Sequence, residues 1–262
     1  MPALDRLRRL FGGAQQKEPM PDRPLYVVGD IHGRADLLQR LFDMIDADHA
    51  AHGYRQPLAV FVGDYVDRGA ESRQVLQNLH AMARALDTDA EAEGEMLCLM
   101  GNHERMLLDF LDAPVERGPR WLRNGGVQTL ESFGLQGVAE GAGEEVLLAA
   151  RDALREALSD GLEDWLRNLP LIALSGNVAI VHAACDPSLP IDGQPPGALI
   201  WGHPEFLIRP RADGLWIAHG HTVVSRPAAA EGRIAVDTGA YFSGRLTAAI
   251  LVPGEPVRFL TT

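Results

Sequence analysis

The sequence is short of cysteine, of positive charge and of long apolar runs, and each shortage narrows what the chain can be. Its 262 residues include two cysteines, Cys98 and Cys185, both inside apolar runs and in no Cys-x-x-Cys pair. That excludes a disulfide-stapled secreted framework and points to a reducing, cytoplasmic compartment. Lysine and arginine number 24 against 36 aspartates and glutamates, a formal charge of −12 at pH 7. A sequence-independent nucleic-acid binder needs the opposite balance, so no nucleic-acid partner is expected. No apolar stretch reaches the length of a membrane span, and no hydrophobic signal-peptide region is present. The twin arginine Arg8-Arg9 leads through Leu10-Phe11 into polar residues and does not read as an export signal. No internal repeat of fixed short period is apparent.

What remains is ordinary for a folded soluble protein: 46% hydrophobic and 23% charged residues. The length suits one large domain or a domain with an insertion. We expect a flexible basic segment over residues 1–22 and one domain over 23–262. In the first segment Leu4, Leu7, Leu10 and Phe11 alternate with Arg6, Arg8 and Arg9. A basic amphipathic helix touching a membrane surface or a partner is one reading, and a frayed tail is the preferred one. The acidic alternation Asp87, Asp89, Glu91, Glu93, Glu95 reads as a solvated loop.

Three short apolar runs, Leu25 to Val28, Leu58 to Val62 and Met96 to Met100, read as buried strands. Each breaks at a glycine beside metal-competent side chains: Gly29-Asp30-Ile31-His32-Gly33, Gly63-Asp64-Tyr65-Val66-Asp67-Arg68-Gly69 and Gly101-Asn102-His103-Glu104. Between them lie segments of helical period, with Leu37, Leu38, Leu41, Phe42 and Ile45 in one and Val75, Leu76, Leu79, Met82 and Leu86 in the other. Strands joined by helices run parallel with right-handed crossovers, so the three strand ends emerge at one edge of one sheet, where ligand sites form. Residues 105–168 read as mostly helical. This insertion is expected beside or over the site opening, as substrate selector or as core filler with Trp121 and Trp165 as packing anchors. Strands return at Val178 to His182, Trp216 to His219, Ile234 to Val236 and Leu246 to Val252. The expected fold is α/β, with two packed β-sheets flanked by helices.

Asp30, His32, Asp64, Asn102, His182 and His221 all sit at strand ends and mix carboxylate, imidazole and amide. That set suits two borderline divalent ions such as manganese, iron or zinc, with Asp64 as the natural bridge. His219 and His221 compete for one ligand role, since strand alternation would put both on the same face.

The three glycine-flanked blocks, together with Trp121-Leu122-Arg123-Asn124-Gly125-Gly126 and Asp237-Thr238-Gly239-Ala240, resemble the phosphoprotein phosphatases of the calcineurin-like metallophosphoesterase fold, in their bacterial branch. The resemblance covers about Leu25 to Val252. It implies that Asp30, His32 and Asp64 hold one ion and Asp64, Asn102, His182 and His221 the second, manganese foremost. His221 is preferred over His219 because it falls in Gly-His-Thr, as in the bacterial relatives. By the same resemblance His103 donates a proton to the leaving oxygen, Asp67 orients it, and Arg68 and Asn102 hold the phosphate. A metal-bridging hydroxide attacks phosphorus directly. The implied activity is hydrolysis of phosphoserine or phosphothreonine in proteins, extending to small phosphoesters. A symmetrical dinucleoside-tetraphosphate hydrolase is the first alternative and a non-catalytic scaffold the second. Two departures stand out. His203 occupies the position where the bacterial relatives usually carry a phosphate-binding arginine, with Arg209 or Arg211 as possible substitutes. Ala183-Ala184 follows His182 where the family normally has glycine, and nearby Cys185 reads as buried and inert rather than redox-sensitive.

Overall fold

The computed structural model describes residues 18–89, 94–159 and 161–262. The expectation for residues 1–22 therefore falls, as far as Lys17, outside the described residues, as do Glu91 and Glu93 of the acidic alternation. Strands β1 (Leu25–Val28), β2 (Leu58–Phe61) and β3 (Glu95–Cys98) are joined by helices α1 (Ala35–His52) and α2 (Ser72–Thr88). β1 pairs in parallel with β2, and β2 with β3. The predicted βαβαβ unit is therefore present, with all three glycine-bearing ends on one edge. Leu37, Leu38 and Leu41 of α1 and Val75, Leu76 and Leu79 of α2 are buried, because a helical period of about 3.6 puts them on one face. α1 stops at Gly53, whose left-handed backbone (φ 61°) lets its N–H bond the His49 carbonyl at 2.8 Å.

Next come α3 (Asn102–Asp112), α4 (Pro114–Trp121), a widened turn at Leu122–Gly126, α5 (Val127–Ser132), α6 (Glu144–Ala157) and α7 (Leu162–Arg167). This is the helical stretch expected for 105–168, beginning three residues early. The second half supplies β4 (Ile172–Ser175), β5 (Val178–Val181), α8 (Pro196–Trp201), β6 (Trp216–His219), β7 (Ala228–Ala230), β8 (Arg233–Ala235), α9 (Ala240–Ser243), β9 (Thr247–Leu251) and β10 (Arg258–Thr261). Two mixed five-stranded sheets result, ordered β10-β9-β1-β2-β3 and β4-β5-β6-β8-β7.

Strand alternation assigns the faces. Leu25, Val27, Leu58 and Val60 of the first sheet pack against Val178, Ile180, Ala218 and Ile234 of the second. Val28, Phe61 and Cys98 turn the other way, onto the helices. Ala179, Val181 and Ile217 face Leu199, Ile200 and Phe206 on the outer side of the second sheet. The order of layers is helix, sheet, sheet, helix, as expected. The sequence reading lacked β4, β7, β10, α8 and α9. β7 and β10 lie at sheet edges, and the three alanines of β7 carry little strand propensity.

β10 is tied to α1 by Asp48. The buried Tyr26 hydroxyl donates to its carboxylate at 2.9 Å and Arg258 Nη1 at 2.8 Å. Burial pushes the Asp48 carboxyl up, but hydrogen bonds from Arg258 and Tyr26 outweigh it and hold the pKa below the ordinary carboxylate value. Replacing Asp48→Ala leaves a buried phenol without its acceptor and should cost about 1–3 kcal/mol in denaturant unfolding. Because the folded pKa is depressed, the stabilisation is present above the unfolded pKa and lost as pH falls through the folded one. The difference between wild type and variant should therefore shrink on acidification; a difference that grew would contradict the assignment.

Candidate metal centre

The exits of β1, β2 and β3 meet those of β5 and β6 at one edge. Five of the seven described non-glycine residues with positive φ lie there: His32 (47°), Asp64 (54°), Asp67 (74°), Arg68 (70°) and His221 (59°). Left-handed backbone in non-glycine residues costs free energy and persists where surrounding contacts over-determine it. At Asp64 the constraint is Glu104. Its fully buried carboxylate accepts the N–H groups of Asp64 (2.8 Å), Tyr65 (2.8 Å), Val66 (3.2 Å) and Gly101 (3.0 Å). The β2 exit is thereby tied to the start of α3. The glycines allow the approach: a Cβ on Gly101 would lie 2.3 Å from both the backbone nitrogen and Oδ1 of Asp64.

Asp64 stands at the centre. Its Oδ2 is 3.5 Å from His32 Nε2, and its Oδ1 is 3.3 Å from His182 Nε2. The two carboxylate oxygens therefore face different imidazoles. His32 Nδ1 donates to the Val66 carbonyl at 2.9 Å and His182 Nδ1 to the Val62 carbonyl at 3.0 Å, which leaves the Nε2 lone pair of each free for a ligand. Asn102 Oδ1 lies 2.9 Å from both His182 Nε2 and His221 Nδ1. Asp30 is in the same buried pocket, its carboxylate accepting the His221 N–H at 3.0 Å and packed against Gly220, where a Cβ would fall 2.0 Å from Oδ1. Two triads, His32-Asp64-His103 and Asp64-His182-His221, each place one potential ligand atom per residue within 4.8 Å of one another. All six expected ligands thus converge, although His103 rather than Asp30 completes the first triad.

Next to the ligands, His103 Nδ1 donates to Asp67 Oδ2 at 2.7 Å, and its Nε2 lies 3.9 Å from Asp64 and 3.2 Å from Arg68 Nη2. Asp67 also accepts from Trp121 Nε1 at 3.0 Å and from the Thr129 hydroxyl at 2.6 Å. Burial depresses the His103 pKa, yet Asp64 and Asp67 outweigh it and the value is raised. The Arg68 guanidinium stacks on the Tyr241 ring, 4.8 Å from its centroid.

The charge balance fits divalent cations. Asp30, Asp64, Asp67, Glu104 and Asp237 are all buried. Burial, with Asp237 and Asp64 nearby, pushes Asp30 well above the ordinary carboxylate value, and burial raises Asp237 to about 6. Burial lowers His32 to about 3 and His182 to about 4, so both imidazoles are neutral and able to ligate at pH 7. Crowded carboxylates beside neutral imidazoles form a donor set that bound cations compensate.

His219 does not join them. It packs edge-on against Phe206, 4.9 Å between ring centroids, on the outer side of the second sheet. The expectation that His219 and His221 share a face is corrected here. The strand ends at His219, and His221 takes left-handed backbone, so strand alternation no longer applies. His203 shares a cavity of about 350 Å³ with His221 and Trp201, its Nε2 lying 3.6 Å from Asp186. The Arg211 side chain is 6% exposed and committed to Asp213 and to the Asp186 and Leu189 carbonyls, and Arg209 pairs with Glu205, so neither points at the centre. Cys185 is buried, and burial raises its pKa, in keeping with an inert thiol. Sequence reasoning gave no role to Glu104, Thr129 or Tyr241, and gave Trp121 one only as a packing anchor if the helices were core filler. Glu104 was findable, since a glutamate at the third helical position commonly reaches back to the helix start. Nothing in the chain pattern links Trp121 to Asp67.

The pattern of the calcineurin-like phosphoesterase family matches residues 23–225. The chain is 30% identical to serine/threonine-protein phosphatase 1 of Salmonella typhimurium, over 87% of this chain and 91% of that one. It is 26% identical to the symmetrical bis(5'-nucleosyl)-tetraphosphatase of Xanthomonas axonopodis, over 89% and 86%. With the enzyme of that name from Methylococcus capsulatus it shares 28% identity, and the match spans only 44% of that protein's length. Among solved structures, a putative diadenosine tetraphosphatase aligns with a TM-score of 0.59 at 20% identity over 92% of this chain and 94% of that one. A cold-active protein tyrosine phosphatase aligns at 0.58 and 18%, over 95% and 85%. At these identities the structures attest the fold.

Substituting Glu104→Gln should lower divalent-metal affinity by about tenfold or more, because an amide NH₂ would face backbone N–H groups that now donate to a carboxylate oxygen. Calorimetric manganese titration of stripped protein checks this, and unchanged affinity would remove Glu104 as the organiser of the centre.

Proposed function

The chain belongs to the calcineurin-like phosphoesterases, and we propose that it hydrolyses phosphoserine and phosphothreonine in proteins, with small phosphoesters as further substrates. The observation that carries this reading is the His103–Asp67 pair at 2.7 Å. An aliphatic alkoxide is a far poorer leaving group than a nucleotide phosphate chain, so a built proton donor matters most for phosphoserine and phosphothreonine. Asp67 fixes Nδ1 and favours the charged imidazole; with Arg68 Nη2 turned from Nε2 to the phosphate, the Nε2–H is released to face the leaving oxygen. Trp121 and Thr129 hold Asp67 in turn. Arg68 grips phosphate oxygens through its charged fork, and Asn102 assists. His203 supplies a further donor from the His221 side, in place of an arginine.

We assign Asp30, His32 and Asp64 to one divalent cation and Asp64, Asn102, His182 and His221 to another, manganese foremost, then iron or zinc. When bound, such cations supply Lewis acidity and make a water a stronger nucleophile. The second reading, symmetrical hydrolysis of dinucleoside tetraphosphates, is favoured by the similarity to the Xanthomonas protein over most of both chains.

Initial rates on a phosphothreonine peptide and on diadenosine tetraphosphate, with stripped protein reloaded with manganese, test the choice. The peptide should be the faster substrate. His103→Asn should cut the peptide rate by about a hundredfold or more and affect p-nitrophenyl phosphate least. A faster dinucleotide reaction, indifferent to His103→Asn, would overturn the phosphatase reading.

A further inference from the structure

Beside Arg68 opens a cavity of about 590 Å³, which Arg68, Arg123, Asn124, Gly125, Gln128 and Tyr241 help to line and to which none of the six metal-ligand candidates contributes. Arg68 Nη2 lies 3.2 Å from His103 Nε2, the atom assigned to the leaving oxygen. The cavity thus begins where a leaving group would depart. Its volume is that of a ligand site rather than of a packing defect.

The wall is built by close backbone approach. The widened turn Leu122–Gly126 carries Gly125 with φ 105°, and its carbonyl accepts the Arg68 N–H at 3.4 Å. A Cβ on Gly125 would lie 2.5 Å from that same nitrogen, so only glycine lets the turn press against Arg68. The neighbouring Arg123 is thereby held at the cavity with its side chain exposed, and no described carboxylate lies within ion-pair distance of it. On a chain of net charge −12, this wall sets two guanidiniums against the one carboxylate of Glu140. The cavity is polar, and its one aromatic ring, Tyr241, already carries the Arg68 guanidinium. A nucleobase would look for a free stacking face there, whereas a carboxylate would find a free guanidinium fork.

We propose that this cavity is the leaving-group subsite and that Arg123 selects phosphopeptides with an acidic side chain next to the phosphorylated residue. The inference rests on the phosphatase reading and names its substrate class. Arg123 is exposed, so its pairing with one carboxylate is worth a modest factor, screened by salt.

The test compares kcat/KM for two phosphothreonine peptides, one flanked by glutamate and one by glutamine, at low ionic strength with manganese-loaded enzyme. The wild type should favour the acidic peptide by about two- to fivefold. Arg123→Ala should bring the ratio to about one, and Arg123→Glu should invert it, which a purely structural role would not do. Turnover of both peptides with a ratio indifferent to both substitutions overturns the subsite alone. No turnover of either peptide, while diadenosine tetraphosphate is consumed, overturns the phosphatase reading and the peptide assignment with it.

Discussion

The convergence of four backbone N–H groups on the buried Glu104 carboxylate is the constraint on which the site depends. Burial and the neighbouring Asp64 still raise the Glu104 pKa to about 8, and those donors pull against them; without the donors the cost of burying this group would be larger. With them, three consecutive residues after β2 are fixed to the first turn of α3. The placement of Asp64, Asn102 and His103 follows from that one interaction. Tyr65 locks the same loop from beneath, its hydroxyl donating to the Leu99 carbonyl at 2.7 Å.

Around that anchor the edge divides into two parts. On one side, neutral imidazoles fixed through their Nδ1 atoms face a crowd of buried carboxylates, a donor set suited to divalent cations. On the other, Asp67, His103 and Arg68, to which we assign proton transfer and phosphate binding, form a contact group whose support comes from the helical stretch, through Trp121, Thr129 and the Gly125 turn. The helices after α3 therefore do more than fill core: they hold Asp67, the partner of His103, and shape the cavity beside it.

Much of this was legible in the sequence because the chain uses short strands that stop at glycine. Runs such as Leu25 to Val28 have one plausible reading, and the apolar period of α1 and α2 forces parallel strands and a common edge. The six ligand candidates were legible because each lies within a few residues of a strand end, glycine-flanked except at His182. What escaped depends on tertiary contact. The three alanines of β7 become a strand only by pairing with β8. The indole N–H of Trp121 reaches Asp67 across 54 positions, and apolar periodicity registers the ring without its donor. His219 and His221 were misplaced on one face because left-handed backbone at a non-glycine residue is set by surrounding contacts, which no local pattern displays.

Our proposal sets Asp64 between two cations, one at each carboxylate oxygen. Anomalous scattering from crystals grown with manganese tests it most directly. Two peaks are expected, one beside Oδ2 and His32 with Asp30, the other beside Oδ1 with Asn102, His182 and His221. A single peak would contradict it, and a peak with His103 as a direct ligand would make that histidine a metal ligand instead of a proton donor.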